Sequence, residues 1–289
     1  MVASRKDKYE LIADKMLSLM EQDIKPWSQP WYENPYRNAI TGHEYKGVNP
    51  LLCGLDCLYN NWLDPRFVTM TQCKQMGWRV AKGSKATVIR WGGTCSKKEV
   101  DAVTGEERTK FYSTAKFFNV FNIECVDDSQ SDIKINDDEY TYSKNTDLRI
   151  EDLEVFCEIQ GVKTNFGNQR AFYNNADDVI GMPDYKQFKD AISYYSVYIH
   201  ELGHSTGHES RLKRDLTGSF GSKKYAFEEL VAELTSVFIC NEFNLKYDDS
   251  NHVSYLDNWM QLLRDDNKAF FKAAKLAGEA SEFMLNNLF

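Results

Sequence analysis

The chain has 289 residues, 42% of them apolar, enough to bury a full core in one large or two ordinary domains and too many for a disordered polymer. Its first twenty residues, MVASRKDKYELIADKMLSLM, are charged every few positions and no later stretch approaches a membrane span, so neither a secretory nor a membrane protein is indicated and a cytoplasmic one is expected. The net charge of −8 is uneven: residues 131–289 hold 17 basic against 27 acidic residues, whereas residues 66–126 hold 11 against 5, which marks where an anionic partner would bind.

From the N-terminus, Tyr9, Ile12, Met16 and Leu19 recur at helical spacing and predict an amphipathic helix over residues 4–22, ending before Pro26. The segment KPWSQPWYENPYRNAITGHEYKGVNP carries four prolines, two tryptophans and the turn pairs Thr41-Gly42 and Lys46-Gly47, and predicts an ordered loop. A second helix is predicted from Pro50 to Trp62. Beyond it, WRVAKGSKATVIRWG and, past the Thr104-Gly105 turn, RTKFYSTAKFFNVFNIECV are rich in β-branched and aromatic residues and read as strands. Residues 1–126 are therefore expected to form a small α+β domain. Residues 127–147, DDSQSDIKINDDEYTYSKNTD, are polar, acidic and aperiodic, which reads as a linker to a second domain over 148–289.

The first domain's surface has two readings. Arg79, Lys82, Lys85, Arg90 and Lys116, interleaved with Trp78, Trp91 and Tyr112, supply the cations and the flat rings that a sequence-independent single-strand binder needs. On composition alone the favoured reading is that the same tryptophans are core residues at strand ends, with the lysines of AKGSK solvated in a turn. The seven cysteines, Cys53, Cys57, Cys73, Cys95, Cys125, Cys157 and Cys240, form no CxxC pair and read as reduced, apolar thiols.

In the second domain Phe188, Ile192, Tyr195, Ile199 and Leu202 place QFKDAISYYSVYIHELGHST on one helix. Within it His200 and His204 stand one turn apart on one face, so both imidazoles can reach one zinc ion with coordination positions left open. Glu201, beside the first histidine but offset from it, suits a general base that takes a proton from the attacking water. Gly207 is a natural helix end. A further helix, KYAFEELVAELTSVFICNEF, carries Glu229 and Glu233 one turn apart. Glu229 is assigned as third ligand and Glu233 as an acid that orients a ligand histidine, the arrangement of the thermolysin-like class. Glu228 is turned about 100° away on the wheel. The rival ligand, His208, falls two residues short of the third histidine of HExxHxxGxxH, where Ser210 stands. Upstream, Ala171, Phe172 and Tyr173 are β-prone and are expected either as an edge strand over the metal, open to an extended peptide, or as an ordinary strand.

Across residues 5–245 the chain resembles the ArdC-type antirestriction proteins of plasmids and other mobile elements. The resemblance rests on NAITGHEYKGVNP, FVTMTQCKQMGWRVAKGSKATVIRW and FFNVFNIECV, followed by HELGHSTGHESRLKRDL and YAFEELVAELTSVF. It implies an N-terminal domain that binds single-stranded DNA without sequence preference, which favours the stacking reading of the basic face. It also implies a zincin-like metallopeptidase domain, with Zn2+ or another divalent ion such as Mn2+, acting on a protein substrate such as a host restriction factor. Ser205 departs from the Trp common at that position and alters one wall of the cleft. Two function classes follow: a DNA-localised peptidase, or a DNA-binding protective protein whose metal site is structural or silent. Because Glu201 is not needed to hold an ion, the first is favoured.

Overall fold

Ile12, Met16 and Leu19 are buried along one face of α1 (Lys8–Met20), the stripe their spacing predicts, and each contributes about 1.5–3 kcal/mol by leaving water. The computed structural model describes residues 7–27, 35–100, 107–135, 147–243 and 255–288. After α1 come β1 (Arg37–Asn38), α2 (Asn49–Asn60), β2 (Arg66–Val68), α3 (Met70–Gln75), β3 (Arg79–Val80), β4 (Thr87–Val100), β5 (Glu107–Asn122) and β6 (Val126–Asp127). Then follow α4 (Asp147–Ile159), β7 (Lys163–Asn165), β8 (Phe172–Asn174), β9 (Val179–Gly181), α5 (Ala191–Ser205), α6 (Lys223–Glu242), α7 (Leu256–Asp265) and α8 (Ala269–Asn286). The fold is α+β. Among the described residues no helix is long and apolar enough to cross a membrane.

The chain divides into two compact units that interleave along the sequence. One holds residues 37–44 and 66–136; the other holds 1–36, 45–65 and 137–289. The expected organisation was two consecutive domains, 1–126 and 148–289, joined by a linker over 127–147, but α1 packs on α7 and α2, so both early helices belong to the larger unit. Nor do all of residues 127–147 read as a linker. Asp127 pairs with Arg79, Ser131 Oγ donates to the Met76 carbonyl, and Ile133 accepts from Trp78; positions 136–146 lie outside the described residues.

The smaller unit is built on a four-stranded sheet of order β1-β2-β5-β4, with β4 and β5 a long antiparallel ladder from Thr87↔Val120 to Val100↔Glu107. The tip turn, Thr104-Gly105, lies outside the described residues. Helix α3 is closed by a capping box in which Thr69 Oγ1 accepts from Gln72 N and Gln72 Oε1 accepts from Thr69 N. Gln72 also exchanges amide hydrogen bonds with Asn38, whose Oδ1 accepts from Ile40 and Thr41, so the NAITG motif shapes a turn.

In the larger unit α5 and α6 pack side by side, with α8 against α6 and α4 against α5. A three-stranded sheet of order β7-β9-β8 leaves β8 at an edge. Gly203 sets the closeness of α5 and α6: a Cβ there would sit 3.3 Å from both Ala232 Cα and Thr235 Cβ.

Candidate functional site

Helix α5 starts where Asp190 accepts hydrogen bonds at 2.7 Å from the backbone N and the hydroxyl of Ser193, and α6 starts on Ser222, which accepts from Tyr225 N. Both helices are buried over most of their length, which fixes their side chains in one arrangement. Across the seam His200, His204 and Glu229 come together, with one donor atom from each lying within 4.8 Å of the others. His200 Nε2 is 3.4 Å and His204 Nε2 3.5 Å from the two oxygens of Glu229.

The opposite edge of each imidazole faces a different carboxylate. Glu233 Oε2 lies 3.8 Å from His200 Nδ1, while Glu228 Oε1 lies 3.2 Å from His204 Nδ1. Two Nε2 atoms and a carboxylate converging in a buried pocket, with both Nδ1 edges turned to outer carboxylates, fit a divalent ion of the zinc or manganese kind. Glu228 is the residue that helical-wheel reasoning set aside. It is turned from Glu229, yet that turn aims it at His204. It is in turn held by Arg214, through Nε at 3.0 Å and Nη2 at 2.6 Å. A third acid beside the Glu229–Glu233 pair, followed by a search for its cation, would have found both.

Electrostatically the pocket calls for positive charge. Burial alone would lower the His204 pKa, but Glu229 and Glu228 outweigh it and push it up to about 10. Burial likewise opposes ionisation of Glu229, yet the two histidines hold its carboxyl well below the usual range. Glu201 is the contrast: desolvation raises its pKa, the histidines offset this only partly, and it accepts a backbone hydrogen bond from Tyr173.

That contact places edge strand β8 against the general-base candidate. Phe172 and Tyr173 are in β8 as expected, whereas Ala171 precedes the strand. Arg211 makes a two-pronged ion pair with Asp178, which also accepts from the Tyr173 hydroxyl at 2.8 Å, tying the loop after α5 to this strand. A cleft of about 1260 Å³ lies over His200, Glu201, His204 and Glu229, with Ala171, Phe172 and Phe220 on its walls. His208 is outside the cluster, its Nδ1 2.7 Å from Ser210 Oγ. Gly207 serves space and not a left-handed cap: Thr206 and Gly207 keep negative φ, and a Cβ at 207 would fall 2.9 Å from Leu216.

In the smaller unit the basic candidates are sorted by the sheet. Arg79, Lys82, Lys85 and Lys116 are exposed and Arg90 is half-buried. Trp91 is 50% exposed and pairs across the ladder with Lys116. Two residues along each strand, Ile89 pairs with Phe118, which is 48% exposed, so Trp91, Lys116 and Phe118 share one face. Phe118 went unnoticed because an aromatic in a strand reads as core. Trp78 is a correction. It is only 6% exposed, packs with Val68, Cys73 and Ile123, and donates from Nε1 to the Ile133 carbonyl at 2.6 Å, so no base can stack on it. The Tyr112 backbone lies opposite Cys95, and its side chain is outside the described residues.

A family model for the N-terminal domain of anti-restriction factor ArdC matches residues 6–121, and one for zincin-like metallopeptidases matches 151–276. The chain is 30% identical to the uncharacterized protein y4eC of Sinorhizobium fredii (strain NBRC 101917 / NGR234), covering 96% of this chain and 91% of that one. It is 31% identical to the DNA primase TraC of Escherichia coli over 99% of its own length, but spans only 28% of that relative. The crystal structure of the antirestriction ArdC protein from the R388 plasmid, metal-free, superposes with a TM-score of 0.73 at 30% identity over 98% of each chain. Its Mn(II)-bound form gives 0.73 at 28% identity, again over 98% of each.

Proposed function

The chain belongs to the ArdC family of antirestriction proteins, and we propose that it binds single-stranded DNA without sequence preference and carries a divalent-metal peptidase centre that acts on a protein. In this reading it protects incoming DNA of a mobile element in the cytoplasm. DNA binding is assigned to the N-terminal region, residues 1–126, and peptidase chemistry to 148–289 after the stretch 127–147, with α1 and α2 lent to the larger unit.

The observation that carries the peptidase reading is the pair of imidazoles turned to Glu229 by Nε2 and to outer carboxylates by Nδ1. His200, His204 and Glu229 would hold the ion, zinc or manganese, which supplies Lewis acidity to a scissile carbonyl and to water. Glu201 does not belong to the converging donors. It accepts the proton of the attacking water, and its raised pKa lets it pass that proton to the leaving amine. Edge strand β8 orients an extended peptide by strand addition above Glu201.

For DNA, Arg79, Lys82, Lys85 and Lys116 neutralise phosphates while Trp91 and Phe118 stack bases; Arg90, one residue from Trp91, lies on the opposite face of the ladder. Support comes from the exposure of both rings on the face that carries Lys116. The test is the full-length double substitution His200→Ala, His204→Ala, assayed by elemental analysis and by single-strand affinity. Metal should vanish while DNA affinity stays within about twofold; full metal occupancy in that variant would remove the active-site reading.

A further inference from the structure

Glu233 is the one acid of the cluster whose side chain has no exposure at all, although it sits behind a histidine and not on the ion's side of the pocket. A buried carboxylate is stable only when paired and hydrogen-bonded. Its partners come from the other end of the chain. Lys25 Nζ and Trp27 Nε1 each lie 3.1 Å from Glu233 Oε1, across 208 and 206 positions of sequence. The other oxygen, Oε2, is the one 3.8 Å from His200 Nδ1.

Neither donor is free to wander. Lys25 is 3% exposed, and its ammonium lies 6.0 Å from the centre of the Trp259 ring. Trp27 is 2% exposed, meets Trp259 edge-on at 5.2 Å and stacks on Phe270 at 6.3 Å. The two C-terminal helices α7 and α8 thus grip the 25–27 segment, which in turn grips one oxygen of Glu233 and leaves the other to His200.

We infer that Lys25 and Trp27 are positioning residues of the metal centre, acting through Glu233 on His200. This rests on the metal reading above and extends it: residues 148–289 contain every ligand, yet the outer contact that sets His200 is completed by the N-terminal segment. A carboxylate held at one oxygen by a fixed ammonium and a fixed indole presents its second oxygen in one direction. At 3.8 Å that oxygen is too far for a hydrogen bond but acts on the Nδ1 edge as a fixed negative charge, favouring the tautomer with the proton on Nδ1 and Nε2 free to face Glu229. Loss of such an outer contact ordinarily weakens metal binding by about 10–100-fold.

The experiment is a double-mutant cycle on the full chain, read as Mn(II) and Zn(II) affinity by competition with a chromophoric chelator. Lys25→Met and Glu233→Gln should each weaken binding by about 10–100-fold. In the Glu233→Gln background, Lys25→Met should change it by less than about twofold, because the effect passes through that carboxylate. A merely structural role gives additive losses, or a lowered melting temperature with wild-type affinity, and either result overturns the inference. Trp27→Phe keeps the ring and removes one donor, so its cycle with Glu233→Gln decides the matter if Lys25→Met folds poorly. A wild-type chain that binds neither ion would overturn the metal reading itself; a wild-type chain that binds, with equal affinity in Lys25→Met, overturns this inference alone.

Discussion

His204 Nδ1 lies 3.2 Å from Glu228 Oε1, and the carboxylate it faces is clasped by Arg214, whose Nη1 also donates to Thr206 Oγ1 at 2.6 Å and whose Nη2 donates to the Gly203 carbonyl at 2.8 Å. One histidine is thus fixed through a carboxylate to the loop that follows its own helix, as the other is fixed to the N-terminal segment.

Truncating Glu228 leaves the Arg214 side chain, only 5% exposed, without its counter-charge. Stranding one member of a buried pair costs about 3–5 kcal/mol, whereas replacing both by apolar groups is often near neutral. Glu228→Ala should therefore lower the free energy of urea unfolding of the metal-free chain by that amount. The double variant Glu228→Met, Arg214→Met should recover most of the stability yet bind metal about 10–100-fold more weakly than wild type. Equal metal affinity in the double variant and the wild type would show that Glu228 does not orient His204.

The pH dependence has a definite sign. His204 has a folded pKa of about 10 against an ordinary 6.5, so in the metal-free chain its contribution to stability is complete below about pH 6.5 and is lost as pH rises towards 10. Glu229 is depressed from 4.5, so its contribution is present above that pH and is lost on acidification. Metal-free stability from this cluster should peak between about pH 4.5 and 6.5. A metal ion must displace the His204 proton, so its affinity should rise by about tenfold per pH unit between pH 6 and 8. Calorimetry in two buffers of different ionisation enthalpy reads the released proton directly; no release at pH 7 would contradict the assignment.

Much of the centre was legible because helical spacing alone carries it. His200, Glu201 and His204 sit on α5, and Glu229 and Glu233 on α6, where i and i+4 positions share a face whatever the packing. What escaped was set by contacts between distant segments. Lys25 and Trp27 look like loop residues until α7 and α8 close over them, and Trp78 looks like a stacking platform until Val68, Cys73 and Ile123 surround it. A linear domain boundary failed for the same reason: the apolar stripe of α1 specifies burial but not against which half of the chain. Gly207 shows the reverse, a residue correctly placed at a helix end with its reason misread.

For DNA, an isolated fragment of residues 1–126 would expose the faces that α1 and α2 bury in the larger unit, so the full chain is the proper material. Trp91→Ala and Phe118→Ala should each weaken single-strand binding by about 1–3 kcal/mol with little dependence on base sequence. Lys82→Ala with Lys85→Ala should weaken all sequences alike and flatten the plot of log affinity against log salt by about 0.7 per lost phosphate contact. Trp78→Phe should lower stability and leave DNA affinity unchanged. Filter binding across a salt series separates these effects, and a salt slope unaltered by the lysine pair would place the phosphates elsewhere.

Glu201 offers the sharpest division between chemistry and architecture. It is buried beside the converging donors without being one of them, and its carboxylate meets the backbone of β8 at Tyr173. Glu201→Gln keeps the volume and one acceptor oxygen, so the variant should fold as the wild type does and bind Mn(II) or Zn(II) within about threefold of it, a range well below the effect of losing an outer carboxylate. It removes only the group that takes up the proton. General-base catalysis contributes on the order of 10² to 10⁴ in rate, and cleavage of any protein substrate should fall by that factor while single-strand affinity is unaffected. Protection of incoming DNA then discriminates between the two function classes: it is lost with Glu201 if cleavage is the protective act, and persists if coating the strand shields it. A Glu201→Gln chain that fails to retain metal would make Glu201 a ligand or an orienting group, and the role assigned to it would be wrong.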